Sequence, residues 1–112
     1  MSDIIPRSGH SSNLKRAILT SSTTGAAVVA APGAGLKIRV VSMNVIAAGA
    51  VTFALASAAT AITSTKSLAA NGGFVLPANE YGWYECAANE ALNITLGGAV
   101  SVGVDVQYVT VA

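Results

Sequence analysis

Charge is scarce in this chain. Lys, Arg, Asp and Glu make up 10% of its 112 residues, against roughly 25% in an ordinary soluble domain, so most of the surface has to be neutral. Six basic and five acidic side chains leave a net charge of +1, too weak a field to draw in nucleic acid or an anionic membrane. A near-zero charge favours association instead. Cysteine is almost missing as well: Cys86 stands alone, which excludes an internal disulfide and fits a reducing compartment. Together with His10, the single histidine, it falls well short of the roughly four ligands that a structural zinc site needs. No metal and no cofactor is expected. With His10 near the N-terminus, a nucleophile-base-acid arrangement has no fixed base to build on, so the chain is read as a non-enzyme.

Other motifs are equally thin. Gly33 and Gly35 lie in PGAGLK, but neither G-x-x-x-x-G-K-[ST] nor G-x-G-x-x-G is present. Glu80, Glu85 and Glu90 are spaced as separate loop and strand charges, unlike the closely spaced oxygens of a calcium loop. Ile4-Ile5 is cut off by Pro6, leaving no apolar core for a signal peptide. One long uncharged run lies between Arg39 and Lys66. It has enough residues for a membrane-spanning helix, but Ser and Thr interrupt it and Val51, Phe53 and Leu55 fall at two-residue spacing, which is strand periodicity. No membrane span is expected.

What is present is a regular alternation of short apolar runs with turn residues. Apolar side chains reach 53%, much of it Ala and Val. Between them, Pro32-Gly33, Asn71-Gly72-Gly73, Pro77 with Asn79, and Gly97-Gly98 supply the φ values that tight reversals need. The pattern predicts strands at about 26–31, 36–47, 50–57, 60–68, 72–76, 83–88, 91–96 and 99–111. Eight short strands suit a single all-β sandwich, jelly-roll-like, over residues 25–112. In the last strand Val100, Val102, Val104, Val106 and Tyr108 share a face, while Ser101, Asp105 and Gln107 share the other. Along 36–47 the parity changes: Ile38 and Val40 are followed by Val41, Met43 and Val45. Either a β-bulge or a strand covered on both faces accounts for this.

Residues 1–24 differ from the rest. They are rich in Ser, Thr and Asn and carry Arg7, Lys15 and Arg16 against Asp3, whereas the body carries Lys37, Arg39 and Lys66 against Glu80, Glu85, Glu90 and Asp105. The segment is read as an extended N-terminal arm, basic against a faintly acidic body, that orders on a partner. A second candidate surface is Pro77-Ala78-Asn79-Glu80-Tyr81-Gly82-Trp83-Tyr84, which gathers three of the six aromatic residues. Tyr81, Trp83 and Tyr84 form either a recognition loop for a glycan or protein, or a cap over one end of the sandwich.

The segments LKIRVVSMNVIAAGAVTF, LAANGGFVLPANEYGWYECAANEALNITL and AVSVGVDVQYV resemble a pattern in small structural proteins of tailed bacteriophage particles. It runs from a Lys-x-Arg-Val strand through Gly-Ala-Val-Thr, an Asn-Gly-Gly turn with Leu-Pro, and a Gly-Trp-aromatic strand to Glu-Ala-Leu-Asn-Ile. The resemblance covers about two-thirds of the chain, from Leu36 to Val109. It implies a capsid decoration or cement protein, made in the host cytoplasm and carried on the outer surface of the virion. Its implied partners are the major capsid protein and further copies of itself, as a homotrimer. Arg7, Lys15 and Arg16 of the arm would meet carboxylates on neighbouring capsid subunits. Head fibres and tail appendages use such sandwiches too, and for them a host glycan or receptor bound through the aromatic loop is the alternative.

Overall fold

Strands built from branched residues at every second position have one apolar face to hide, and here two such sheets hide their faces against each other. A computed structural model describes residues 14–112. Its ten strands are β1 (Lys15–Ser21), β2 (Ala27–Val29), β3 (Lys37–Ala47), β4 (Val51–Ser57), β5 (Thr60–Ala61), β6 (Lys66–Leu68), β7 (Gly73–Leu76), β8 (Tyr84–Glu85), β9 (Leu92–Leu96) and β10 (Val102–Val111). Sheet I has the order β1-β10-β3-β7, with β8 also on β3; sheet II has the order β2-β9-β4-β5, with β6 also on β4. Every pairing is antiparallel. The protein is an all-β sandwich, as the alternation of its residues leads one to expect.

The core lies between the sheets. Ile38, Val40, Met43 and Val45 of β3 and Val102, Val104 and Val106 of β10 face Phe53 and Leu55 of β4 and Leu92 and Ile94 of β9, all of them buried. Phe53 and Phe74 bridge the layers edge to face, with ring centroids 5.9 Å apart, the geometry that the ring quadrupole favours. On β4 the outward residues Ala54 and Ala56 are buried as well. Their register partners across β9 are Thr95 and Asn93, and a lone methyl between longer neighbours has little surface left to expose.

The parity change in β3 is a bulge. Gln107 is opposite Ser42 and Tyr108 is opposite Val40, so Val41 has no partner on β10. The extra residue lets Ile38 and Val40 reach the same core as Met43 and Val45. Reversals form where turn residues stand: Asn71 adopts φ 61°, and the Gly72 amide closes that turn on the Ala69 carbonyl at 2.8 Å.

Three local expectations need revision. No strand is expected before residue 26, yet Lys15–Ser21 forms β1, paired with β10 over seven positions. Ala17 and Leu19 pack against the core, and that contact, invisible in so polar a segment, holds the strand. The span 60–68 is two short strands, because after the Ile62 amide reaches the Leu55 carbonyl the Thr63 hydroxyl, in place of a backbone carbonyl, takes the Leu55 amide and ends the first ladder. The region 83–88 keeps only two residues of pairing. The uncharged run from Arg39 to Lys66 lies in strands and turns, and among the described residues no helix is long and apolar enough to cross a membrane.

Candidate interaction surfaces

The basic residues of the N-terminal segment do not share one face. Arg7 lies outside the described residues. Lys15 and Arg16 open β1, where successive side chains point to opposite sides. The Lys15 ammonium donates to the Thr110 hydroxyl at 3.3 Å, whereas Arg16, opposite Gln107, stands on the outer face of sheet I.

The aromatic loop is fastened to β3 from beneath. The amides of Asn79 and Trp83 donate to the carbonyls of Val41 and Val40 at 2.9 and 2.7 Å. Within the loop the Asn79 side-chain oxygen accepts from the Tyr81 amide at 3.0 Å, and the Trp83 indole N–H donates to the Pro77 carbonyl at 2.7 Å. Gly82 has φ +87°, and a Cβ there would strike the aliphatic stem of Arg39; only glycine meets both conditions. The three aromatics therefore differ in situation. Tyr84 is half-buried and packs against the core, Trp83 is 39% exposed and braces the loop, and Tyr81 is 84% exposed at its apex.

The acidic residues are distributed separately. Glu85 accepts from the Arg39 guanidinium at 3.0 Å and has Lys37 at 3.9 Å. Glu90 accepts from the Ser57 hydroxyl at 2.6 Å, and the same Ser57 oxygen takes the Ala87 amide at 2.9 Å. Ser57 is the one buried polar residue among those described, and these two bonds satisfy it. Cys86 lies beside this knot, buried within the core. Burial pushes its thiol above the ordinary range, a hydrogen bond with Ser57 opposes the rise, and the carboxylates of Glu90 and Glu85 add to it. A thiol so placed is a poor nucleophile.

A further surface was not anticipated. On the outer face of sheet I, Ile18 of β1, Ile46 of β3 and Val75 of β7 are 72%, 60% and 70% exposed. Beside them runs an open groove of about 510 Å³ whose lining includes Ile18, Asn44, Val75, Pro77 and Asp105. Large aliphatic side chains exposed on one sheet face, where polar residues are usual, make it a candidate interaction surface. The far end of the same face is polar and self-satisfied, with Lys37 and Arg39 on Glu85. In the sequence, the outward parity of Asp105 and Gln107 pointed to this face. That Ile18 shares it became visible only when β1 joined the sheet.

No family model and no curated protein matches the chain. Among solved structures, a chain of the capsid asymmetric unit of cyanophage Pam1 is similar in fold, with a TM-score of 0.54 and 17% identity over 87% of this chain and 84% of that one. At that identity the likeness is one of fold.

Proposed function

We propose that this protein is a non-enzymatic structural component of a tailed-phage virion, a decoration or cement protein that binds the outer capsid surface and stabilises the head. The observation that carries this is the outer face of sheet I: three exposed aliphatic side chains on a rigid sheet, in a sandwich whose fold is similar to that of a phage capsid chain. The strand order supports a jelly-roll reading. With β5 and β6 counted as one interrupted strand, and β7 and β8 as another, the order is 1-8-3-6 against 2-7-4-5 in eight strands, with the sheets linked by repeated crossings. The segment that precedes β1 serves as the arm over neighbouring capsid subunits through Arg7, with Lys15 and Arg16 at its root on sheet I, and a homotrimer around a symmetry axis buries neutral surface at little electrostatic cost.

Mixing the purified protein with capsids assembled without it tests this reading. Saturable binding, a rise in the temperature at which capsids rupture, and a trimer mass by sedimentation are expected. The triple variant Arg7→Glu/Lys15→Glu/Arg16→Glu should bind more weakly. If the wild type leaves capsids bare, and the triple variant behaves identically, the decoration role is wrong. The exposure of Tyr81 favours a second reading, a head-fibre or tail-appendage module that meets a host glycan or receptor at the loop apex. Tyr81→Ala should then abolish adsorption while leaving the fold intact; adsorption at the wild-type level removes that alternative.

A further inference from the structure

We infer that the trough on the outer face of sheet I seats an extended polypeptide segment of the capsid partner, lying along the strands with a basic side chain on Asp105. The inference rests on the capsid-binding reading above and deepens it.

The width of the trough selects the occupant. Ile18, Asp105, Asn44 and Val75 form one row across the sheet, each opposite the next in the strand register. The two aliphatic rims are thus three strand spacings apart, about 14 Å at roughly 4.8 Å per spacing. Once the rim side chains are allowed for, roughly 8 Å remains, too little for a helix of about 10–12 Å diameter but enough for one extended chain.

The repeat along the trough fits the same occupant. Outward residues recur every second position, so the Gln107/Ser42, Asp105/Asn44 and Gly103/Ile46 pairs form rows about 6.7 Å apart. Alternate side chains of an extended partner recur at that same interval, so a segment of about five residues can set one side chain on each row. At one end Ile46 stands between Gly103 and Gly73, a raised aliphatic knob with lowered shoulders that suits apolar partner side chains on either side. At the other end the Ser42 hydroxyl donates to Gln107 at 2.7 Å, so that row is already satisfied. Between them Asp105 is exposed and has no ion pair among the described residues. Arg16, opposite Gln107, is the other charge lining the trough and makes no ion pair with Asp105, so the carboxylate on the floor is left for a Lys or Arg above it.

The experiment measures binding of the full-length protein to capsids assembled without it. Four forms are compared: wild type, Ile18→Lys/Val75→Lys, Asp105→Lys, and the control Thr95→Lys on the exposed outer face of sheet II. All the substituted residues are exposed. Circular dichroism and sedimentation check that each form keeps the fold and mass of the wild type. We expect both trough variants to weaken binding at least about tenfold, the effect of losing a hot-spot contact, and Thr95→Lys to bind as the wild type does. If the wild type itself fails to bind, the capsid-binding reading falls and takes this one with it. If the wild type binds and either trough variant binds equally well, or Thr95→Lys loses as much, the trough is not the seat of the partner. A trough variant that changes the sedimentation mass shows a contact between copies of this chain and overturns the inference as well.

Discussion

Gly73 and Gly103 flank the same residue, Ile46, on the same face of sheet I, yet replacing each by alanine should have opposite effects. A Cβ on Gly73 would collide with the Val45 carbonyl oxygen and lie 2.7 Å from the Val45 carbonyl carbon and 2.9 Å from the Ile46 Cα. These are backbone atoms in the centre of the sheet and cannot step aside. Strand β7, only four residues long, must peel away from β3 instead. Loss of about two ladder hydrogen bonds at about 1 kcal/mol each, with partial exposure of Phe74 at about 1 kcal/mol, gives about 3 kcal/mol. Reduced freedom of the unfolded chain returns roughly 0.5–1 kcal/mol. The net loss is about 2–2.5 kcal/mol, or a fall in Tm of roughly 8–20 °C for a domain of this size. A Cβ on Gly103 meets nothing within 4 Å, and an alanine in a strand interior is more favourable than glycine by roughly 0.5–1 kcal/mol. Gly103→Ala should raise Tm by a few degrees. Thermal and urea unfolding followed by circular dichroism measure both. Should Gly73→Ala stay within about 1 kcal/mol of the wild type, or should both variants shift Tm in the same direction by similar amounts, the close approach of β7 to β3 described here would be refuted.

Three further outcomes are expected. Ser57→Ala removes the acceptor of the Ala87 amide and the donor to Glu90, and should cost about 1–2 kcal/mol in urea unfolding through the loss of two part-buried hydrogen bonds, one of them to a carboxylate; a loss below about 0.5 kcal/mol would show that water replaces them. The Cys86 thiol is raised in the folded protein by burial first, so the unfolded chain ionises before the folded one as pH climbs. Its contribution to stability is therefore full below the unfolded thiol pKa of about 8.5 and is lost progressively above it. Relative to Cys86→Ala, the wild type should lose unfolding free energy between pH 8 and 10, and a difference that is flat across that range contradicts the assignment. Gly82→Ala forces a methyl into the Arg39 stem at a left-handed φ and should cost roughly 1–2 kcal/mol; because Trp83 is the single tryptophan, native fluorescence reports whether the loop moves.

Much of the architecture is legible in the residues. Val102, Val104 and Val106 alternate with Gly103, Asp105 and Gln107, and that period of two fixes which side of β10 is buried, since a slip by one residue would expose every valine. The double valine at 40–41 betrays the bulge for the same reason. Glu85 and Glu90, spaced in the sequence as separate charges, satisfy different partners. The aromatic loop was visible by composition, but not the division of labour inside it. A sequence does not disclose that the Trp83 indole N–H is engaged by Pro77 or that Tyr84 leans on the core.

Local periodicity thus determined the class of fold, the turns and the inward faces, because burial in a sandwich acts residue by residue along each strand. Tertiary structure decided the surfaces. Ile18, in a segment of Ser, Thr and basic residues, has no periodic partner near it in the chain, and its neighbours Asp105, Asn44 and Val75 come from three other strands. Whether an aliphatic side chain is hidden or presented depends on what the sheet sets beside and above it. That is a matter of long-range pairing, which sequence pattern alone does not encode.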